Sequence, residues 1–225
     1  MQRPQFFGAR EDPIDALCHH FNLRQTTPPT GTALGPSFDM RVTRDAHMPT
    51  HVLAVTQTDQ QPSTPPLMLP IDRSLFERAF RNDLNFPLAY PGSIAPIPRL
   101  VSAGDSQPVL MVSLPVVPIP VPHIRSLALL LLFGMGLETD LNLLSWNLLP
   151  VNVVEEFPNA AAMSLVLSRK SDDRFESIYK HNQGLWRNIL ALGLTDTRIL
   201  ELVHTAWNVT AEARRIRQRS SSRQM

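Results

Sequence analysis

Cysteine is almost missing from this chain of 225 residues, in which Cys18 stands alone. A single thiol forbids an intramolecular disulfide framework and supplies too few thiolates for a cysteine-rich zinc site, so a stapled secreted mini-domain is excluded. Glycine is scarce at 9 residues, which excludes the Gly-Pro repeat of a collagen. Net charge is equally thin. The 21 Lys+Arg and 20 Asp+Glu leave +1, so the chain as a whole implies no acidic or nucleic-acid partner. Long apolar runs are lacking too. The most hydrophobic stretch, Leu127 to Leu137, falls well short of the roughly 20 residues that cross a bilayer, and MQRPQFFGAREDP holds no apolar run of signal-peptide length. The expectation is a soluble, intracellular protein. Phosphate loops, nucleophile elbows, His-Glu-x-x-His pairs and dinucleotide fingerprints are all missing as well.

What is abundant is proline, at 21 residues about twice the usual share of roughly 5%. Every one lies between Pro4 and Pro158, so the chain divides into a proline-rich half and a proline-free helical end. Residues 1–48 read as a mostly disordered arm in which only Ile14 to Leu23 has a helical pattern. A single α+β domain is expected over 49–213, followed by a basic disordered tail over 214–225. Within the domain, His51 to Val55 and Leu67 to Ile71 are β-prone, and Asp72 is placed to cap a helix over 73–81. Residues 86–100 carry four prolines and read as loop. Val109 to Leu114 is the best strand pattern. The prolines at 115, 118, 120 and 122 that follow remove ladder donors, so this run is not expected to be a central strand.

From His123 onward the pattern is helical. A buried helix runs to Phe133, a second is capped by Thr139 or Asp140 and stopped by Pro150, and Asn159 caps a third. Phe175, Ile178, Leu185, Trp186, Ile189 and Leu192 mark one face of a long helix ending at Gly193, and Asp196 opens the last. The architecture expected is a small irregular sheet with proline-rich loops and a C-terminal helical hairpin or bundle. Its order of strands and helices resembles a degenerate BTB/POZ module at fold level.

Each candidate site has a plain structural role beside a chemical one. Cys18-His19-His20 contains a thiol and two imidazoles, but neighbours on a helix point apart, so surface and core placement is preferred over nucleophile or metal chemistry. Glu155-Glu156 read as solvated carboxylates rather than an acid/base pair. Pro115-Val-Val-Pro118 has the spacing of a polyproline docking motif, yet its β-branched neighbours favour a structural segment packed on the helices. Trp186 and Trp207 are expected to pack against each other in the core, the alternative being partner contacts. Arg214, Arg215, Arg217, Arg219 and Arg223 form the one local charge excess, which is either a frayed helix end or an import or phosphate-contact tail. No cofactor or metal is expected.

The run His181-Asn-Gln-Gly184-Leu-Trp186-Arg-Asn188-Ile-Leu-Ala-Leu-Gly193, followed by Ala206-Trp207, resembles the C-terminal signature of the fungal clampless-type proteins. His51-Val-Leu-Ala54 and Leu114-Pro-Val-Val-Pro118-Ile-Pro-Val-Pro122 fit the same family in the same order, so the likeness spans roughly residues 50–210. The chain departs from the pattern after Pro122 and at Pro70-Ile-Asp72, as a divergent member does. The resemblance implies a non-enzymatic regulator of fungal sexual development, needed for clamp-cell formation and dikaryon proliferation. It would act in the nucleus or nucleocytoplasm through regulatory partners such as transcription factors. Gly184, Leu185, Trp186, Asn188, Gly193 and Trp207 are then the signature or partner residues. The alternative is direct nucleic-acid binding through the arginine tail.

Overall fold

The computed structural model describes residues 11–28, 34–59, 64–87, 96–102 and 108–222. The sheet-forming half holds α1 (Pro13–His20), β1 (Ser37–Arg41), β2 (His51–Gln57), β3 (Leu67–Ile71), α2 (Arg73–Ala79), β4 (Arg99–Val101) and β5 (Val109–Val121). The helical half follows a short 3-10 turn at Ile124–Ser126. It comprises α3 (Leu127–Gly134), α4 (Leu141–Leu148), α5 (Val151–Val154), α6 (Ala160–Ser168), α7 (Asp172–Leu192) and α8 (Thr197–Ser222). The fold is α+β, as its composition pattern indicates.

Five strands form one mixed sheet in the order β1-β5-β2-β3, with β4 also on β5. β2 and β3 make an antiparallel hairpin that leads into α2, where Asp72 Oδ1 accepts from Leu75 N at 2.9 Å. β5 returns parallel to β2, from Val52↔Val116 to Gln57↔Val121. Its first half instead pairs antiparallel with β1, from Ser37↔Pro115 to Arg41↔Met111, and with β4 over Val109 to Met111.

β5 is therefore a central strand, against the expectation from its prolines. The reason is parity. Successive residues of a strand turn their backbone polar groups to opposite flanks. Val121 O accepts from Thr58 on the β2 flank, and Val116 N donates to Pro36 O on the β1 flank. Pro118, Pro120 and Pro122 share the parity of Val116, so their missing N–H groups face the flank that β1 no longer covers. Pro115 faces the other flank at a position between the end of β4 pairing and the start of β2 pairing. No ladder bond is forfeited.

The expected disordered arm over 1–48 is corrected throughout its described part. Asp12 caps α1, and Ala16, Leu17, Phe21, Leu23 and Met40 are each fully buried. α1 packs on α3, and β1 takes its backbone partners from β5. A segment too weak to fold on its own pattern is held by surfaces distant in sequence. The expected loop over 86–100 likewise gives way to β4 at Arg99, while residues 88–95 lie outside the described residues.

Every residue of α3 from Leu127 to Phe133 is buried, which makes it the hub between sheet and helices. At about 2 kcal/mol for each leucine removed from water, this one element contributes a large share of the core. Asp140, Asn159 and Asp196 cap their helices as expected, accepting from Asn142 N, Ala162 N and Arg198 N. The basic end is corrected as well. α8 continues as helix to Ser222, so 214–222 is not a disordered tail.

Candidate functional site

Five of the six signature residues lie on α7 or at its C-cap and Trp207 lies on α8; Gly184, Leu185 and Asn188 are buried. His181, Gly184 and Asn188 fall at i, i+3 and i+7, on the helix face that meets the segment from His123 to Ser126. Gly184 is buried against His123 so closely that a Cβ there would lie 2.6 Å from the Cβ of His123 and overlap its ring. Asn188, with no exposure, clasps the same residue from both sides. Its Oδ1 accepts from His123 N at 3.0 Å, and its Nδ2 donates to His123 O at 2.6 Å and to Ser126 Oγ at 3.2 Å. The carboxamide thus takes over the backbone pairing that β5 abandons where it ends. Asn188→Ala is expected to cost about 2 kcal/mol in urea denaturation, since it orphans buried groups on His123.

Leu185 is buried, and Gly193 ends α7 in the left-handed region at φ 68°. Past this turn the chain is stitched to α2, with Arg81 N donating to Gly193 O at 3.0 Å and Thr195 N to Ala79 O at 2.9 Å. These four signature residues are occupied within the fold.

The tryptophans differ from expectation. Both are half-buried, and neither rests on the other. Trp186 of α7 stacks on His204 of α8 with ring centroids 5.1 Å apart, and Trp207 of α8 meets Tyr179 of α7 at 5.4 Å. Trp186→Ala is accordingly expected to lower stability by only about 1–2 kcal/mol, read from the denaturation midpoint, rather than by the larger penalty of a fully buried indole.

A buried polar seam that the sequence reading missed continues from this clasp. His123 and His181 meet edge to face at 6.3 Å, and His123 Nδ1 lies 2.9 Å from Ser126 Oγ. Asn182 donates to Leu148 O at 3.0 Å and Thr210 Oγ1 at 2.9 Å, tying α4, α7 and α8 together. His181 Nε2 and Asn182 Oδ1 are buried without a hydrogen-bond partner. Burial, and then the neighbouring His123, push the His181 pKa down to about 4. His123 is also lowered, by burial and then Arg125. Among the described residues no three His, Cys, Asp or Glu side chains are grouped to hold a metal. The signal available in sequence was the recurrence of His181, Asn182 and Asn188 among the apolar positions of α7.

The other candidates separate. Cys18 is buried and its thiol is pushed up to about 12 by burial and then Asp15, so no thiolate forms near neutral pH. His19 instead faces Glu11 at 3.1 Å. Glu155 and Glu156 are exposed. Arg217 donates to Ser168 O and Lys170 O, both at 2.7 Å, pairs with Asp172, and lies over the Phe175 ring. Arg214 covers Tyr179, its guanidinium carbon 4.2 Å from the ring centroid, and Arg215 pairs with Glu212. Arg219 is exposed, and Arg223 lies outside the described residues. Two arginines of the supposed tail are therefore structural staples.

An apolar groove of about 590 Å³ lies in the helical half. Its walls include Leu141 and Leu148 of α4, Phe157 beyond α5, Met163 of α6, and Leu202 and Ala206 of α8. Phe157 is 65% exposed at its lip. The molecule is thus an α+β protein whose buried polar groups brace the fold and whose helical half opens an apolar surface. The chain matches no family model, no curated protein and no solved structure.

Proposed function

We propose that the protein is a non-enzymatic interaction module that regulates fungal sexual development, serving clamp-cell formation and dikaryon proliferation through protein partners such as transcription factors. The observation that carries the interaction reading is the groove with Phe157 at its lip, because a large aromatic left mostly in water marks a contact surface. The developmental role rests on the Gly-Leu-Trp-x-Asn run and the proline run. The order of strands and helices expected from the sequence resembles that of a BTB/POZ module, an interaction fold, and this analogy points the same way. A nuclear or nucleocytoplasmic location follows from the same role.

Nucleic-acid binding through the arginines is the weaker alternative, because Arg214 and Arg217 are already engaged with Tyr179, Phe175 and Asp172. The test is complementation of a deletion strain in a clamp-forming host. Phe157→Asp should leave the melting transition nearly unchanged, within about 0.5 kcal/mol, yet fail to restore clamp cells. Arg215→Ser with Arg219→Ser should restore them. Rescue by the Phe157 variant and failure of the arginine variant would transfer the function to the basic end.

A further inference from the structure

The groove has a charge as well as a shape. Between Ser126 and Ser168 the sequence contains no lysine or arginine, while Glu138, Asp140, Glu155 and Glu156 fall in that stretch. Glu155 and Glu156 are exposed and stand between Val154 and Phe157, both of which line the groove. On the opposite wall Glu201 is exposed and has no ion-pair partner among the described residues. Arg198, also in the lining, is neutralised by Asp196 at 3.2 Å. Lys170, beyond the end of α6, is engaged by Asn152 Oδ1 at 2.9 Å. An apolar floor is therefore rimmed by three carboxylates, Glu155, Glu156 and Glu201, against the charge of Lys170, which the neutral Asn152 carboxamide holds without cancelling.

The shape selects the secondary structure of the occupant. All the walls are helix faces or helix turns with no strand edge to pair an extended chain, and of the polar side chains in the lining Ser145 already bonds Leu141 O and Arg198 pairs with Asp196. An extended peptide would bring unpaired amides that this lining does not satisfy, whereas a helix arrives with its own backbone paired. A volume of about 590 Å³ accepts several side chains but leaves the partner's backbone outside.

From this combination we propose that the groove binds an amphipathic helix of a partner protein, with large aliphatic anchors on one face and lysine or arginine on its flanks. The inference rests on the interaction reading above and adds the chemistry of the partner. Its test is fluorescence anisotropy with three labelled helical peptides of about 16 residues. One has leucines at i, i+3 and i+7 with lysine flanks, one the same leucines with glutamate flanks, and one lysine flanks with serine in place of leucine.

The lysine-flanked leucine peptide should bind at least about tenfold more tightly than the glutamate-flanked one at low salt, and the gap should narrow as salt rises. The serine peptide should not bind. Phe157→Asp should abolish binding, and joint replacement of Glu155, Glu156 and Glu201 by lysine should reverse the charge preference. Circular dichroism establishes that each variant is folded. Equal or tighter binding of the glutamate peptide overturns the charge inference and leaves the groove as a docking site. Failure of both leucine peptides, or binding that survives Phe157→Asp, overturns the docking reading as well. A concentration-dependent dimer that Phe157→Asp dissolves would make a second copy the occupant and overturn the proposal.

Discussion

Gly184→Ala is expected to destabilise the protein by about 3 kcal/mol, even though alanine ordinarily gains about 1 kcal/mol over glycine inside a helix. The helical preference is outweighed by one contact. A new Cβ would meet the root of the His123 side chain, 2.6 Å from its Cβ, rather than a flexible tip that could swing away. His123 has nowhere to go, because Asn188 holds its N–H and its carbonyl together and Ser126 Oγ lies 2.9 Å from its ring nitrogen. Urea denaturation of the single variant and of Gly184→Ala with His123→Gly separates the causes. The second change removes every atom in the clash, so the pair should show a coupling of at least about 1 kcal/mol. A single variant as stable as the parent would mean that α7 shifts freely past the turn at 124–126.

Acidification should cost nearly as much. In the fold His181 has its pKa lowered from 6.5 to about 4, whereas the unfolded chain keeps the ordinary value. Between these two values the unfolded state takes up a proton that the native state refuses, so stability is intact above pH 6.5 and is lost as pH falls towards 4. At about 1.4 kcal/mol per pH unit the loss from His181 amounts to about 3 kcal/mol. His123 and His51 are lowered as well, each chiefly by burial, and act in the same sense. Asp196, held low by Arg198 and neighbouring backbone N–H groups despite some desolvation, adds a further loss only in the more acidic carboxylate range. Denaturation midpoints measured from pH 7.5 to 4.5 should stay level to about pH 6.5 and then fall, and His181→Leu should flatten most of that slope whatever it does to absolute stability. An unchanged slope in that variant would assign the effect elsewhere.

Local signals were well written in the sequence. Asp72, Asp140, Asn159 and Asp196 cap helices because a short carboxylate or amide beside an apolar periodic run has few other uses, and Gly193 takes the positive φ that ends α7. Strands at 51–57 and 67–71 announce themselves through short continuous aliphatic runs, over 51–55 and 67–71. What escaped was information held by distant partners. Ser37–Arg41 has little strand character until β5 provides its ladder, and the arginines from 214 to 219 stay helical because Arg217 reaches the carbonyls that end α6. Of the site, the Gly-Leu-Trp-x-Asn run was visible as a pattern. Its meaning was not, since His123 lies far from it in sequence and only the close approach of α7 explains why position 184 has no side chain.

The prolines of β5 bear on life outside the native monomer. An uncovered flank of a strand is an invitation to any passing chain, which can add itself by alternating donors and acceptors. Beyond Pro36 the β1 flank of β5 offers carbonyls, but Pro118, Pro120 and Pro122 supply no N–H to match. An incoming strand would find half its bonds refused at every second residue, and both Pro118 and Pro120 are exposed there. The residue type that argued against a strand thus makes this stretch of β5 a poor template for an added strand.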